Sequence, residues 1–383
     1  MTLFYLKFIL TNILFSLIIG AVLLRYNRTN DPSGRPTVWE FMLYALGLGP
    51  ALTVLLLYYL MLLLPAHGNA FYVVPVFLLY AILAVVGRKG FPILWTHITA
   101  FFSTTHTTWK AASLGQKIKD RLYVLVILCL LVAYAMGYFG TVAHNRLEGH
   151  DALIYGNFGK MYHQEKKISY AEVMRPATNG FLFQGSPKPS FSLLLTWELM
   201  LNHTVLNKNQ AEAFNKTADF DAYYRSISGY YAFLIIALTG LWLYRKNRYL
   251  PFVGIVVLAS GLNFFLMSAD LHLDSIRIYF LLLSWIWLAY AIDRKDRFSL
   301  FLLAMFSGFS AFFHLIGLAT ALINGLAFLL FATDPWKKRA VQTGMFFLVM
   351  VLFGGIHYVL EGMYGAESGF LSYFSRFLGF VKN

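Results

Sequence analysis

The stretch "LYVLVILCLLVAYAMGYFGTVA" (Leu122–Ala143) contains no charged residue. A helix needs about 20 apolar residues to cross the hydrocarbon core of a bilayer, and this stretch supplies them. Since lipid offers no hydrogen bonds to the backbone, the stretch must satisfy its own amide and carbonyl groups, as a helix does. It therefore predicts a membrane-spanning helix.

Apolar runs of similar length recur along the 383-residue chain, of which 58% is hydrophobic and only 13% charged. The mean hydropathy of +0.61 is too high for an ordinary soluble protein. The first run has no small-residue cleavage site, so we interpret it as a retained helix. We expect an all-α integral membrane protein, a polytopic bundle of about ten transmembrane helices near residues 8–24, 40–64, 71–87, 122–142, 227–244, 251–268, 275–292, 299–314, 316–332 and 342–360.

The formal net charge of +13 comes from basic residues that cluster in short loops between these runs. Such clusters mark cytoplasmic loops and contact anionic lipid, so nucleic acid is not an expected partner. The topology that follows is a multi-pass protein of the plasma or inner membrane with its N-terminus outside. The basic clusters predicted inside are Arg25–Arg35, Arg88–Arg121, Arg245–Arg248, Arg294–Arg297 and Lys337–Arg339.

The longest polar part of the chain, 143–226, then lies outside, and we expect short juxtamembrane helices within it. Its apolar segment "PSFSLLLTWELMLN" (Pro189–Asn202) contains Glu198 and is too short to cross, which favours an interfacial or partly inserted helix. We divide the chain into an N-terminal three-helix membrane region with a basic cytoplasmic loop (1–110) and a second membrane region (111–383).

Two acidic sites border the predicted outer face. Asp151 follows His150 just beyond the fourth run, and the turn "ADLHLDSIR" (Ala269–Arg277) carries Asp270, His272 and Asp274. Charges at a membrane boundary are costly unless solvated or paired, so acidic groups repeated on one side favour a shared site. The alternative interpretation is that Asp151 and Asp274 only cap helices, since aspartate is a preferred N-cap.

The order of motifs after residue 122 resembles the GT-C class of integral-membrane glycosyltransferases. An acidic first external loop, a proline-bearing segment, an arginine entering a glycine-containing span, a second acidic turn and a glycine-rich apolar hairpin follow one another. The corresponding stretches are "EGHDALIYGNFGKMY" (Glu148–Tyr162), "GSPKPSFSLLLTW" (Gly185–Trp197), "YYRSISGYYAFLIIALTGLWLY" (Tyr223–Tyr244), "LDSIRIYFLLLSW" (Leu273–Trp285) and "FSGFSAFFHLIGLATALINGL" (Phe306–Leu326).

The resemblance implies transfer of a sugar from a polyprenyl-phosphate donor to an envelope acceptor (a lipid, a glycan or a protein) at the outer face. Asp151 is similar to the first-loop carboxylate that acts as general base, with Asp274 as the second catalytic acid. The departing phosphate needs cations, because guanidinium and ammonium groups bind phosphoryl oxygens strongly. The residues for that role are Lys188, Arg225, Arg277 and, in the hairpin, His314; contact with lipid headgroups is an equal alternative for the basic side chains.

One departure from the class concerns metal binding. Many members pair two acidic residues in the first loop, whereas here His150 precedes Asp151. His150, with Asp270 and His272 as accessory groups, either joins the carboxylates around a divalent ion such as Mg²⁺ or Mn²⁺ or only forms hydrogen bonds. The sequence leaves both open and establishes no cofactor.

Other classes of function compete with this one. A non-catalytic GT-C-like subunit of a membrane assembly would keep the fold without the chemistry. A transporter or flippase for lipid-linked substrates would place charges near the bilayer midplane on broken helices, ideally in symmetric halves, and no repeat is evident. A haem- or pigment-binding subunit would use His314 and His357, although accidental placement explains these two histidines better.

Overall fold

A computed structural model of the protein describes residues 2–27, 37–111, 113–144, 150–168, 170, 189–202, 221–247, 249–261, 264, 266 and 274–363. Secondary structure in this part of the chain is helical throughout, which confirms the all-α class. The helices are α1 (Thr2–Tyr26), α2 (Val38–Leu63), α3 (Asn69–Gly87), α4 (Gly90–Ala111), α5 (Leu114–His144), α6 (His150–Glu165), α7 (Pro189–Asn202), α8 (Asp221–Lys246), α9 (Leu250–Ser260), α10 (Asp274–Arg294), α11 (Arg297–Phe313), α12 (Leu315–Phe331), α13 (Trp336–Met350) and α14 (Ile356–Met363), with a π-helical turn Val351–Gly355 between the last two.

Six helical segments in the described residues are long and apolar enough to cross a membrane: Val38–Leu63, Asn69–Gly87, Leu114–Gly137, Ser226–Lys246, Asp274–Arg294 and Trp336–Met363. The chain is therefore a helical membrane protein. Four more apolar segments are shorter: Thr11–Tyr26, Leu250–Ser260, Arg297–Phe313 and Leu315–Phe331. A 17-residue helix extends only about 26 Å, slightly less than a typical hydrocarbon core, so the total of ten spans stays a prediction.

Two helices extend into segments that the sequence analysis left as loops. The basic segment after α3 contains α4, a helix with Thr and His among its apolar residues and hence no continuous apolar run. The helix α5 begins at Leu114, because Lys117, Lys119 and Arg121 are good helix formers that extend the apolar run by two turns toward its N-terminus.

The segment Pro189–Asn202 forms α7, a helix too short to cross the bilayer. The sequence predicted an interfacial or partly inserted helix, and that stays a prediction; what the structure adds is that every residue from Pro189 to Met200 is buried in protein. A helix at a membrane surface keeps a polar face toward water. Here the small polar side chains Ser190, Ser192 and Thr196 allow neighbouring helices to approach closely instead.

The helices form two compact units, each assembled from separate stretches of chain. The first comprises Met1–Pro50, Pro75–Glu148 and Asn207–Ser275; the second comprises Ala51–Val74, Gly149–Leu206 and Ile276–Asn383. The two units do not coincide with a simple N-terminal and C-terminal division.

In the first unit, the ends of helices that carry predicted inner-face charges are bonded to one another. Arg25 at the end of α1 donates a hydrogen bond to the carbonyl of Val86 near the end of α3. Arg245 at the end of α8 forms an ion pair with Glu40 in the first turn of α2. Glu40 is fully buried and also accepts a 2.8 Å hydrogen bond from the indole of Trp242. These contacts fit the prediction that the Arg25 and Arg245 loops share one face.

In the second unit, α11 and α12 form a tight hairpin against which α13 packs. Gly317 lies so close to the backbone of Ser310 that a Cβ at this position would overlap the Ser310 carbonyl oxygen. The ring of Phe313 stacks on Phe280 of α10 with centroids 5.6 Å apart. The buried amide of Asn324 donates to the hydroxyls of Ser284 and Ser307, at 3.0 and 3.1 Å, and so joins α10, α11 and α12.

Candidate functional site

The first polar loop contains α6, and this helix begins at His150. Asp151 is the second described residue of this helix, and residues 145–149 before it lie outside the described part of the chain. The side chains of His150 and Asp151 lie outside the described residues. Position alone is compatible with both a helix-stabilising and a catalytic aspartate.

The helix α6 packs tightly on α7, the helix that starts at the proline motif. Thr196 donates a 2.9 Å hydrogen bond to the carbonyl of Gly159. A Cβ on Gly159 would come within 2.8 Å of the Ser192 carbonyl oxygen, so the two backbones meet at a glycine. Lys188 itself lies outside the described residues. The first two motifs of the GT-C resemblance thus share one rigid contact.

The third member of this group is the apolar hairpin, because α7 also contacts α11. After α11 the chain turns at His314, whose Nδ1 accepts a 3.0 Å hydrogen bond from the amide of Ile316 and caps α12. The sequence predicted that His314 either contacts a phosphate or an acceptor or only lines the hairpin. The structure shows its capping role, and contact with a substrate stays a prediction.

Asp274 and Arg277 belong to the beginning of α10, and both side chains are partly buried. As the first residue of the helix, Asp274 occupies a position where an anion is favourable. Arg225 lies in the first turns of α8, and its side chain lies outside the described residues, as do Asp270 and His272. The predicted meeting of Asp151, Asp274 and Arg225 in one cavity stays a prediction.

A buried chain of polar side chains, which sequence reasoning missed, crosses the second unit. The hydroxyl of Tyr58 in α2 lies 2.8 Å from the hydroxyl of Tyr170, which lies 2.6 Å from Nδ1 of His357 in α14. Nε2 of His357 lies 3.2 Å from Glu361. All four residues are buried. Both ring nitrogens of His357 are therefore engaged, which argues against this histidine as an iron ligand.

The depth of this chain follows from helix geometry. Tyr58 is 20 residues from Val38, the first residue of α2, and His357 is 21 residues from Trp336, the first residue of α13. At 1.5 Å per residue, each lies about 30 Å along its helix, which is the full thickness of the hydrocarbon core. With the beginnings of α2 and α13 at the inner face, as the basic clusters predict, this distance would place the polar chain near the outer face.

At the same end of α2, the turn between α2 and α3 is bonded to the end of α6. The amide of Ala66 donates to the carbonyl of Lys166 over 3.0 Å, and the hydroxyl of Tyr72 donates to the same carbonyl over 2.9 Å. Both segments were predicted to face outside. Their contact fits that expectation, although it does not identify the side.

Burial changes the acid–base properties of the residues after α6. Partial burial lowers the pKa of Lys166 to about 8, and its ammonium group donates to the carbonyl of His163. Burial also raises the pKa of Tyr170, and the neighbouring Tyr58 hydroxyl raises it further. Burial also raises the pKa of Tyr162, and electrostatic repulsion from Tyr58 and Glu165 raises it further. These tyrosines stay neutral hydrogen-bonding groups near neutral pH.

One sequence signal could have revealed the polar chain. His357 lies in the last apolar run and Glu361 directly follows it; the two are four residues apart and share a helix face, and ionisable groups at such a place are rare. Tyr58 and Tyr170 carry no comparable signal, because the chain is rich in tyrosine. Among the described residues, no group of three or more His, Cys, Asp or Glu side chains could hold a metal ion.

Comparison of the chain with protein-family models, with curated proteins and with solved structures found no match. The resemblance to GT-C glycosyltransferases thus depends on the ordered motifs in the sequence.

Proposed function

We propose that the protein is a membrane glycosyltransferase that moves a sugar from a polyprenyl-phosphate donor to an acceptor hydroxyl of the cell envelope at the outer membrane face. The observation that carries this proposal is the packing of three motif-bearing elements in one unit. The Asp151 helix α6 packs on the proline-initiated α7, and α7 contacts α11, which leads to His314. Motifs far apart in sequence thus contribute to one local structure.

The polar chain supports the proposal because it fastens the first loop to the spans. Tyr170, five residues beyond the end of α6, is held between Tyr58 and His357 at the membrane boundary. A donor with a lipid tail presents its sugar phosphate at this depth. A loop fixed there can position a base against the sugar, and such positioning is worth several kcal/mol of the barrier, roughly 7–11 in the best cases.

The proposed reaction assigns each charged residue a task. Asp151 accepts the proton of the acceptor hydroxyl while the hydroxyl oxygen of the acceptor bonds to the anomeric carbon of the sugar. The bond between that carbon and the phosphate oxygen breaks, and the polyprenyl phosphate leaves with the electron pair. Lys188, Arg225 and Arg277 stabilise the charge on the leaving phosphate, and Asp274 completes the site. His150, Asp270 and His272 are the residues that would hold a divalent ion if one takes part.

A transporter is the second function to weigh, because the last span is interrupted by the π-helical turn Val351–Gly355 and carries the buried pair His357–Glu361. Broken helices with buried charges near the midplane are typical of secondary transporters. However, the pair lies about 30 Å along its span, at the boundary and not at the midplane. This depth favours an attachment point for the loop.

The test compares envelope glycans and glycolipids by mass spectrometry in cells with and without the gene. We expect one sugar-sized mass to disappear without the gene and to return with the wild-type gene. Asp151→Asn, which keeps shape but removes the proton acceptor, should not restore it at equal protein level. The matched control is Asp296→Asn, since Asp296 caps α11 by accepting from the amide of Ser299 at 2.8 Å and asparagine caps equally well.

The proposal fails if no glycan changes, or if Asp151→Asn restores the product as well as Asp296→Asn does. With purified protein and a polyprenyl-phosphate hexose, general-base catalysis predicts a rate loss of about 10²–10⁴-fold for Asp151→Asn. His150→Gln then addresses the metal: loss of activity that added Mg²⁺ or Mn²⁺ reverses would assign a ligand role to His150.

A further inference from the structure

A cavity of about 740 Å³ lies in the first unit, between α2, α5, α8 and α9. Trp39 and Leu46 of α2, Tyr123 and Leu131 of α5, and Tyr230 and Tyr244 of α8 mark its extent. Its volume falls in the range of small-molecule sites, roughly 300–1,000 Å³. It plays no part in the proposed sugar transfer.

The lining of the cavity is almost wholly apolar. Aliphatic and aromatic side chains form its wall, and the Tyr230 hydroxyl is already used, because it donates a 2.8 Å hydrogen bond to the carbonyl of Leu46. Almost all of the exposed wall is apolar, so a polar ligand would find few hydrogen-bond partners there. Three of the four surrounding helices, α2, α5 and α8, are long and apolar enough to cross a membrane, so we expect the medium that reaches this cavity to be lipid.

The length of the cavity suits a hydrocarbon chain. The lining residues Tyr230 and Tyr244 are 14 positions apart on α8, so the cavity runs about 21 Å along that helix. One leaflet contributes about 15 Å, half of the hydrocarbon core. The cavity is therefore long enough for a lipid acyl chain that lies along α8.

Basic residues lie at one end of the helices that line the cavity. Lys119 and Arg121 precede Tyr123 on α5, Lys246 follows Tyr244 on α8, and all three are exposed. Of the acidic residues nearby, Glu40 forms an ion pair with Arg245, and Asp120 is a single negative charge beside the three basic residues. An anionic headgroup at this end is favoured by about 1 kcal/mol per nearby Lys or Arg.

We propose that this cavity binds one acyl chain of an anionic phospholipid, whose headgroup lies at the basic ends of α5 and α8. The charge distribution predicts that the basic loops, and with them this headgroup site, face the cytoplasm, whereas the sugar transfer is proposed for the outer face. The bound acyl chain fills the cavity between α5 and α8.

Gly240 offers a clean test, because it lines the cavity and a Cβ there meets only Ile255, at 3.8 Å. Gly240→Leu fills the cavity without touching backbone. The matched control is Gly344→Leu on α13, where a Cβ meets nothing within 4 Å. Delipidated full-length protein is titrated with phosphatidylglycerol that carries brominated acyl chains, which quench nearby tryptophan. The fluorescence of Trp39 is obtained by subtracting the fluorescence of the Trp39→Phe variant, which retains the other tryptophans.

We expect saturable quenching of Trp39 in the wild type and in Gly344→Leu, and at least tenfold weaker binding in Gly240→Leu. Brominated phosphatidylcholine should bind about tenfold more weakly than phosphatidylglycerol, because it lacks the net negative charge. Lys246→Gln, which leaves the cavity intact, should reduce this selectivity. Equal binding by Gly240→Leu would overturn the acyl-chain site, and equal binding of the two lipids would overturn the headgroup assignment.

Discussion

The hydroxyl of Tyr170 lies 2.6 Å from Nδ1 of His357, and this contact joins residues 187 positions apart in the chain. Tyr170 belongs to the first polar loop, and His357 to the last apolar span. The same hydroxyl lies 2.8 Å from that of Tyr58, so one side chain connects the loop to two helices. Since all three residues are buried, none can replace a lost partner with bulk water.

The first prediction is that Tyr170→Phe destabilises the protein by about 1–3 kcal/mol, because it leaves the Tyr58 hydroxyl and the His357 ring without their shared partner. Thermal unfolding in detergent measures the change. The control is Tyr26→Phe, since Tyr26 is 45% exposed and the contact of its ring with Arg25 survives in phenylalanine. Equal melting of the two variants would mean that the chain of hydrogen bonds contributes nothing to stability.

The amide of Asn324 gives a second prediction, since it joins three helices through Ser284 and Ser307. Hydrogen bonds between membrane helices contribute on average only about 0.6 kcal/mol each. A double-mutant cycle with Asn324→Ala and Ser284→Ala should therefore give a coupling energy near that value. A coupling above roughly 2 kcal/mol would show that the site is drier and more rigid than ordinary helix contacts.

The α11–α12 hairpin depends on the lack of a side chain at Gly317, so Gly317→Ala should prevent its closure. The added methyl would overlap the Ser310 carbonyl oxygen, and backbone cannot move aside as a flexible side chain can. We expect little monodisperse protein on size-exclusion chromatography. Gly344→Ala, at a position open on all sides, should behave like the wild type or melt slightly higher, because alanine favours helix by about 1 kcal/mol.

The pH dependence of stability should carry a contribution from Lys166. Burial lowers its pKa from 10.5 to about 8 in the folded protein. Between these two values the unfolded chain binds more protons than the folded one, so the free energy of unfolding rises with pH across this window. Below pH 8 both states are protonated and the contribution is constant.

Lys166→Met removes that contribution, since methionine keeps the length of the side chain without the titration. The difference in melting temperature between wild type and Lys166→Met should change in favour of the wild type as pH rises from about 8 to about 10.5. A pH-independent difference would indicate that Lys166 titrates normally. Because both proteins share their tyrosines, the subtraction isolates this one group.

The sequence predicted the helices well where apolar runs are long and uninterrupted, as from Leu122 to Ala143. It missed α4, because Thr and His interrupt its apolar pattern while tertiary packing still stabilises the helix. It predicted α7 as an interfacial or partly inserted helix from its length and Glu198. That its serines and threonine are buried in helix contacts could not be predicted, because those contacts depend on the three-dimensional arrangement.

The candidate site shows the same limit. Asp151, Asp274 and His314 were identified from motif order; the structure places Asp274 in the first turn of α10 and His314 at the cap of α12. The Tyr58–Tyr170 contact could not be predicted, because hydrogen bonds between residues 112 positions apart leave no local pattern. Only the spacing of His357 and Glu361 indicated that buried polar groups share a helix face there.

The last prediction concerns the two membrane faces. The positive-inside rule places the turn after α2 outside and the basic segment that includes the first turns of α5 inside. Gly68 and Gly115 lie in these two segments, and a Cβ at either meets nothing within 4 Å, so cysteine fits at both. In a Cys129→Ala background, Gly68→Cys should react with a membrane-impermeant maleimide in intact cells, and Gly115→Cys only after permeabilisation. Because Ala66 is bonded to Lys166, the same result would assign the end of α6 to the outer face. The reverse pattern of labelling would place Asp151 in the cytoplasm, away from any envelope acceptor, and the proposed sugar transfer would have to be abandoned.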